Sequence, residues 1–170
     1  MDLSSTETRS RVAVLEYYSA SGLHNLMTKR LVAIHPNDVH PREGSIRIPL
    51  TVALGKGHLD VARVLLEHGA CACFNRYCDW TPLHFVSYGS DIDAMRLLLE
   101  YGTDVGCRTD IGQSPLHLAS GVGCPMAAQL LLEYGTDRNK RMCSGLSPLH
   151  RAVSYGHVSA VHSYSNTALH

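Results

Sequence analysis

The sequence has no excess of either charge: Lys plus Arg and Asp plus Glu each number 15 in 170 residues. That removes any net electrostatic argument for a nucleic-acid or membrane-surface partner. No long apolar run occurs, so no membrane span is expected, and the polar start MDLSSTETRSR predicts no signal peptide. The chain lacks a glycine-framed nucleophile of the form G-x-S-x-G and lacks a G-x-x-x-x-G-K-[ST] phosphate loop. It also lacks paired cysteines at zinc spacing. Cys71, Cys73 and Cys78 cluster near His68, but C-x-C-x4-C is not two pairs separated by two to four residues. These absences argue against an enzyme, a cofactor and a metal site. The six cysteines do not recur at any common spacing, so they form no shared disulfide framework, and a reducing, cytoplasmic setting is expected. Tryptophan is nearly absent too, with a single copy, Trp80.

What is present is repetition. IPLT starts at Ile48, TPLH at Thr81, and SPLH at Ser114 and again at Ser147, each 33 residues after the last. A second landmark keeps the same step: Leu-Leu-Glu at Leu65, Leu98 and Leu131, followed by Gly69, Gly102 and Gly135. Two independent motifs in one register indicate a protein of stacked repeats.

The stretch from Thr81 to Gln113 shows what one repeat does. Thr81 before Pro82 predicts a helix start: the hydroxyl can accept from an orphan backbone N–H, and proline sits where its missing N–H costs nothing. Leu83, Val86 and Ser87 then face inward until Gly89 and Ser90 break the helix. A second helix is predicted from about Ile92 to Tyr101, with Met95, Leu97, Leu98 and Leu99 on its apolar side and Gly102 ending it. Turn chemistry fills the rest of the repeat. Such short helices are not stable alone, so the unit must stack on its neighbours. Ala53, Val86, Ala119 and Ala152, five residues after each cap, let the helices approach closely.

With these motifs the sequence resembles the ankyrin repeat family, whose period is 33 residues and whose signature is T-P-L-H-x-A. The resemblance covers roughly 15–161. It implies an all-α solenoid of helix-turn-helix units with β-hairpin-like loops. The array spans 12–161: a divergent repeat at 15–47, full repeats at 48–80, 81–113 and 114–146, and a truncated one at 147–161. Residues 1–11 are expected to be disordered and 162–170 irregular. The truncation rests on Tyr164 and Ser165, which stand where the leucine pair is due, and the last helix is therefore expected to fray. Thr81, Pro82 and His84, Ser114, Pro115 and His117, and Ser147, Pro148 and His150 take structural roles by the resemblance. Five of the eleven histidines (His58, His84, His117, His150 and His157) are accounted for by repeat positions.

The resemblance also implies function: binding of a partner protein on the concave surface made by the loop tips and first helices. The positions that fall there are Arg47, Tyr77, Trp80, Tyr88, Arg108, Asp110, Gln113, Arg141, Leu146 and Tyr155, with Arg42, Lys56 and Val122 beside them. Trp, Tyr and Arg are the residue types that dominate interface energy. Trp80 and Tyr88 are the foremost candidates, because the fold does not require them. The mixed basic and aromatic character suggests an acidic, partly apolar partner segment bound by a monomer. The basic residues interleave with aromatics as on single-strand platforms, yet net neutrality and the absence of a motif argue against nucleic acid. A second reading is that the chain is a fragment of a larger receptor. The stretch HPNDVHPREGSIRIPLTVALGKGHLDVARVLLEHGA resembles arrays that trail a nucleotide-binding domain in fungal intracellular receptors.

Overall fold

The structure, a computed structural model, describes residues 49–70 and 80–166. The chain divides into two compact units, Met1–Asn75 and Arg76–His170. The readings placed on residues 1–48 and 71–79 lie outside the described residues. These are the divergent first repeat, Arg42, Arg47, Tyr77 and the Cys71, Cys73 and Cys78 cluster.

Among the described residues the first unit contributes one helix pair, α1 (Pro49–Gly55) and α2 (Leu59–Glu67). Leu50, Ala53 and Leu54 of α1 and Val61, Ala62 and Leu65 of α2 are buried, and the two helices pack on each other. Lys56 is exposed in the turn between them. Thr51 stands where the later repeats carry histidine, and its Oγ1 is buried with no hydrogen-bond partner among the described residues.

The second unit holds three pairs: α3 (Pro82–Gly89) with α4 (Ile92–Glu100), α5 (Pro115–Val122) with α6 (Pro125–Glu133), and α7 (Pro148–Ser154) with α8 (Val158–Asn166). Helices α3, α5 and α7 stack as one layer and α4, α6 and α8 as the other. No strand occurs among the described residues. The core lies between the layers, built from Leu83, Met95, Leu98, Leu116 and Leu131, all fully buried. Each such leucine stabilises by about 1.5–3 kcal/mol. Val86, Ala119 and Ala152 are all buried, as their shared position in the repeat requires.

The first helices begin as the sequence dictates. Thr81, Ser114 and Ser147 are N-caps in extended conformation, each followed by proline in the first turn. The second helices start differently: Asp91 caps α4 by accepting from the Ala94 N–H at 3.0 Å. Gly102 has a φ of +73°. That left-handed turn lets the N–H groups of Gly102 and Thr103 donate to the Leu99 and Leu98 carbonyls at 3.0 and 3.2 Å, closing α4.

Helix α8 continues to Asn166, beyond the point at 161 where the sequence reading ended the last repeat. Tyr164 explains the difference. It occupies the place of Leu98 and Leu131, is itself buried, and its hydroxyl pairs with Ser120 Oγ. Arg138 donates to its carbonyl at 3.1 Å. A ring with a satisfied hydroxyl replaces the missing leucine, and burial pushes that hydroxyl's pKa up to about 12.

Candidate partner-binding surface

The surface is held by histidines that act as struts. The Thr81 N–H donates to His84 Nδ1 at 3.1 Å, and the Thr81 hydroxyl lies 2.9 Å from the same nitrogen. Because Nδ1 accepts, the ring proton sits on Nε2, which donates to the Gln113 carbonyl at 3.1 Å. The next repeat copies this arrangement. The Ser114 N–H donates to His117 Nδ1 at 3.2 Å, and His117 Nε2 donates to the Leu146 carbonyl at 3.2 Å. Each strut therefore ties a helix start to the loop that precedes the following cap. Burial lowers the pKa of both rings, and that of His117 falls to about 4, with the Arg151 and Arg108 charges adding to the effect. Both are neutral at physiological pH, as the strut geometry demands.

The tied loops are tight hairpin turns. Thr109 N–H donates to the Gln113 carbonyl and Gly112 N–H to the Thr109 carbonyl, both at 2.9 Å; Met142 with Leu146 and Gly145 with Met142 repeat the pattern. Adjacent turns are joined by Cys143 N–H donating to the Ile111 carbonyl at 3.0 Å. The approach is so close that a Cβ on Gly112 would lie 3.1 Å from the Cys143 nitrogen, and its φ of +75° independently favours glycine.

Against this frame the expected contact residues separate into three groups. Tyr88 and Tyr155, on the last turn of α3 and just past α7, are exposed, with 58% and 61% of their area open to solvent. Val122 and Leu146 are exposed beside them, as is Asp110 at a turn tip. Trp80 is half-buried, edge-on to Phe85 and Tyr88 at 5.1 and 5.7 Å, so it buttresses Tyr88 as well as facing outward.

Arg108 and Arg141 are exposed, but their guanidinium groups are partly engaged. Arg108 donates from Nε to the Gly112 carbonyl (3.1 Å) and from Nη2 to the Arg141 carbonyl (2.5 Å). Arg141 donates from Nη1 to the Gly145 carbonyl (2.7 Å). They staple the turns and keep their remaining donors. Gln113 forms the third group: it is 6% exposed, and its carbonyl serves as the acceptor of the His84 strut. The structure places Gln113 inside, whereas Leu146, which carries the equivalent carbonyl for His117, is exposed.

Two residues outside the expected set belong to the surface. Ile111 is 51% exposed at a turn tip, and the signal was an apolar side chain in a stretch of turn chemistry that has no core to fill. Arg151 sits with its guanidinium carbon 5.5 Å from the Tyr155 ring centroid, against Gly121. His157 also stacks with the Tyr155 ring, at 6.3 Å between centroids.

One pairing invites a catalytic reading and fails it. Cys107 Sγ lies 3.8 Å from His84 Nδ1, but that nitrogen is already occupied by the Thr81 N–H and hydroxyl. Burial raises the thiol's pKa, the opposite of what a nucleophile needs. Among the described residues no group of three His, Cys, Asp or Glu side chains could hold a metal ion, and no helix is long and apolar enough to cross a membrane.

A family model described as ankyrin repeats (3 copies) matches the chain at residues 15–109 and 86–163. No curated protein matches it.

Proposed function

The chain belongs to the ankyrin repeat family, whose members are in general protein–protein interaction modules, and we propose that it binds a partner protein on the face formed by the ends of α3, α5 and α7 and the turns at 109–113 and 142–146. The observation that carries this reading is the exposure of Tyr88 and Tyr155 on the same layer of first helices, with Val122 between them in sequence. Large aromatics left in water on a rigid scaffold are the usual anchors of an interface. The His84 strut fixes α3 and the His117 strut fixes the turn before α7, so little ordering entropy is lost on binding.

In this reading Tyr88, backed by Trp80, and Tyr155, held by Arg151, are the anchors. Val122, Leu146 and Ile111 widen the apolar contact. The unused donors of Arg108 and Arg141 take carboxylates, which gives an acidic, partly apolar partner segment. Asp110 sets the limit of that basic region. The protein acts as a monomer in the cytoplasm, where the free thiols of Cys107, Cys124 and Cys143 stay reduced. No reaction is required of it.

The test is capture from source-cell lysate by the whole chain and by its Tyr88→Ala/Tyr155→Ala variant. Both side chains are exposed, so circular dichroism of the two proteins should superimpose. Loss of a captured protein in the variant supports the reading; equal capture of the same protein by both would place the contact elsewhere.

A further inference from the structure

Arg108 and Arg141 hold the same place in successive repeats, 33 residues apart. Their separation in space is set by the turns that carry them. Arg108 Nη2 donates to the Arg141 carbonyl at 2.5 Å, and the Cys143 N–H donates to the Ile111 carbonyl at 3.0 Å, so the two turns are fastened together. Among the described residues both guanidinium groups bond to carbonyls and neither meets a carboxylate. Arg108 keeps Nη1, and Arg141 keeps Nε and Nη2, for an incoming anion. Asp110, the one acid on these turns, is folded back on its own turn and accepts from the Ile111 N–H at 2.8 Å. One repeat earlier stands Trp80, which precedes its cap as Gln113 and Leu146 precede theirs. Its ring lies 5.7 Å from that of the exposed Tyr88. Repeat by repeat, the face therefore offers an aromatic pair, a cation and a second cation.

The step between these sites selects the conformation of what can read them. Helices α3, α5 and α7 stack as one layer, and stacked helices lie about 8–10 Å apart. A β-strand covers that step in about three residues, but its side chains alternate, so residues three apart point to opposite sides. A polyproline-II strand rises about 3.1 Å per residue with about three residues per turn, so it returns a side chain to the same side about every 9 Å. An α-helix meets the step only at about every seventh residue and needs about fifteen residues to span all three sites. It orders far more chain for the same contacts.

We propose that the partner segment is a polyproline-II strand of the pattern apolar-x-x-acid-x-x-acid, with its apolar residue on Trp80 and Tyr88, its first carboxylate on Arg108 and its second on Arg141. The inference rests on the surface reading above and adds a conformation and a spacing to it. Proline suits the intervening positions because it pre-sets the backbone and lowers the entropy lost on docking. Guanidinium–carboxylate bonds are charge-assisted and directional. Spacing is therefore the discriminating quantity: two acids side by side leave one of the two guanidinium groups unmatched.

Trp80 is the only tryptophan, so its fluorescence reports on the face in the full chain. The probes are two synthetic peptides of one composition, acetylated and amidated: LPPEPPE, with the proposed spacing, and LPPPEEP, with the acids adjacent. LPPEPPE should give a saturable change in Trp80 emission and bind about tenfold or more tightly than LPPPEEP. In Arg141→Gln, an exposed position whose change should leave the circular dichroism as it was, that preference should vanish. Equal affinity of the two peptides for the unchanged chain overturns the proposal, as does a preference that survives Arg141→Gln. Failure of both peptides to alter the emission overturns it too. If Tyr88→Ala/Tyr155→Ala still loses a captured protein in that event, the surface reading stands and the spacing alone is wrong.

Discussion

His117 and His150 hold the same place in consecutive repeats, follow the same cap and proline, and pair with the same serine hydroxyl. One is buried and bridges to the Leu146 carbonyl; the other is exposed, and its Nε2 has no such bridge among the described residues. The motif alone fixes the helix start, and the neighbouring turn decides whether the histidine becomes a strut. Thr51 makes the complementary point from the first unit: the histidine is replaced, and a buried hydroxyl is left without a partner among the described residues.

The comparison is broken most severely by removing the two rings. His117→Ala should cost about 2–4 kcal/mol, because it opens a cavity and leaves the Leu146 carbonyl and the Ser114 N–H short of a partner. His150→Ala should cost about 1 kcal/mol, since only cap chemistry is lost. Guanidinium unfolding of the second unit measures both, and equal losses would contradict the strut account.

Acid sharpens it next. The folded pKa of His84 and His117 is depressed, so the unfolded state binds more protons in the window below 6.5. Stability from these rings is therefore present above pH 6.5 and is lost as pH falls towards about 4, where His117 titrates in the fold. The melting temperature should drop across that window. It should drop less in His84→Gln/His117→Gln, because glutamine keeps a capping box and does not titrate. A slope equal to that of the unchanged chain would show that other groups carry the acid response.

Helix α8 offers a smaller contrast. Its core anchor is Tyr164 where α4 and α6 have leucines, and its amides should exchange faster than those of Leu97–Leu99. Tyr164→Phe should speed that exchange further, by about 1 kcal/mol, through loss of the hydroxyl's bond to Ser120. Protection of Val158–Ala160 equal to that of α4 would contradict the ranking. The smallest effect is expected at Ser90, which holds a left-handed φ of 58° where Gly57, Gly123 and Gly156 stand in the other repeats. Ser90→Gly should raise stability by about 0.5–1 kcal/mol in thermal unfolding.

Much of this was legible in the sequence. The 33-residue step, the Thr-Pro and Ser-Pro caps and the Leu-Leu-Glu landmarks gave the helix pairs and their order, because caps and periodicity are local signals. Trp80 and Tyr88 could be singled out because the fold had no use for them. Gln113 could not be placed. Its carbonyl accepts from the His84 strut, a backbone role that no side-chain pattern reports. The stapling role of Arg108 and Arg141 was hidden for the same reason, since their acceptors are carbonyls on turns. Tyr164 read as a lost leucine because its hydroxyl finds Ser120 only across 44 residues of chain.

The most direct test of the binding surface is photo-crosslinking with a benzophenone side chain placed at Tyr88, at Tyr155 or at Tyr134. All three positions are exposed, but Tyr134 follows the second helix α6 and lies outside the proposed face. In source-cell lysate, positions 88 and 155 should crosslink to one and the same protein while position 134 does not. Crosslinking at 134 with none at 88 or 155 would contradict the account.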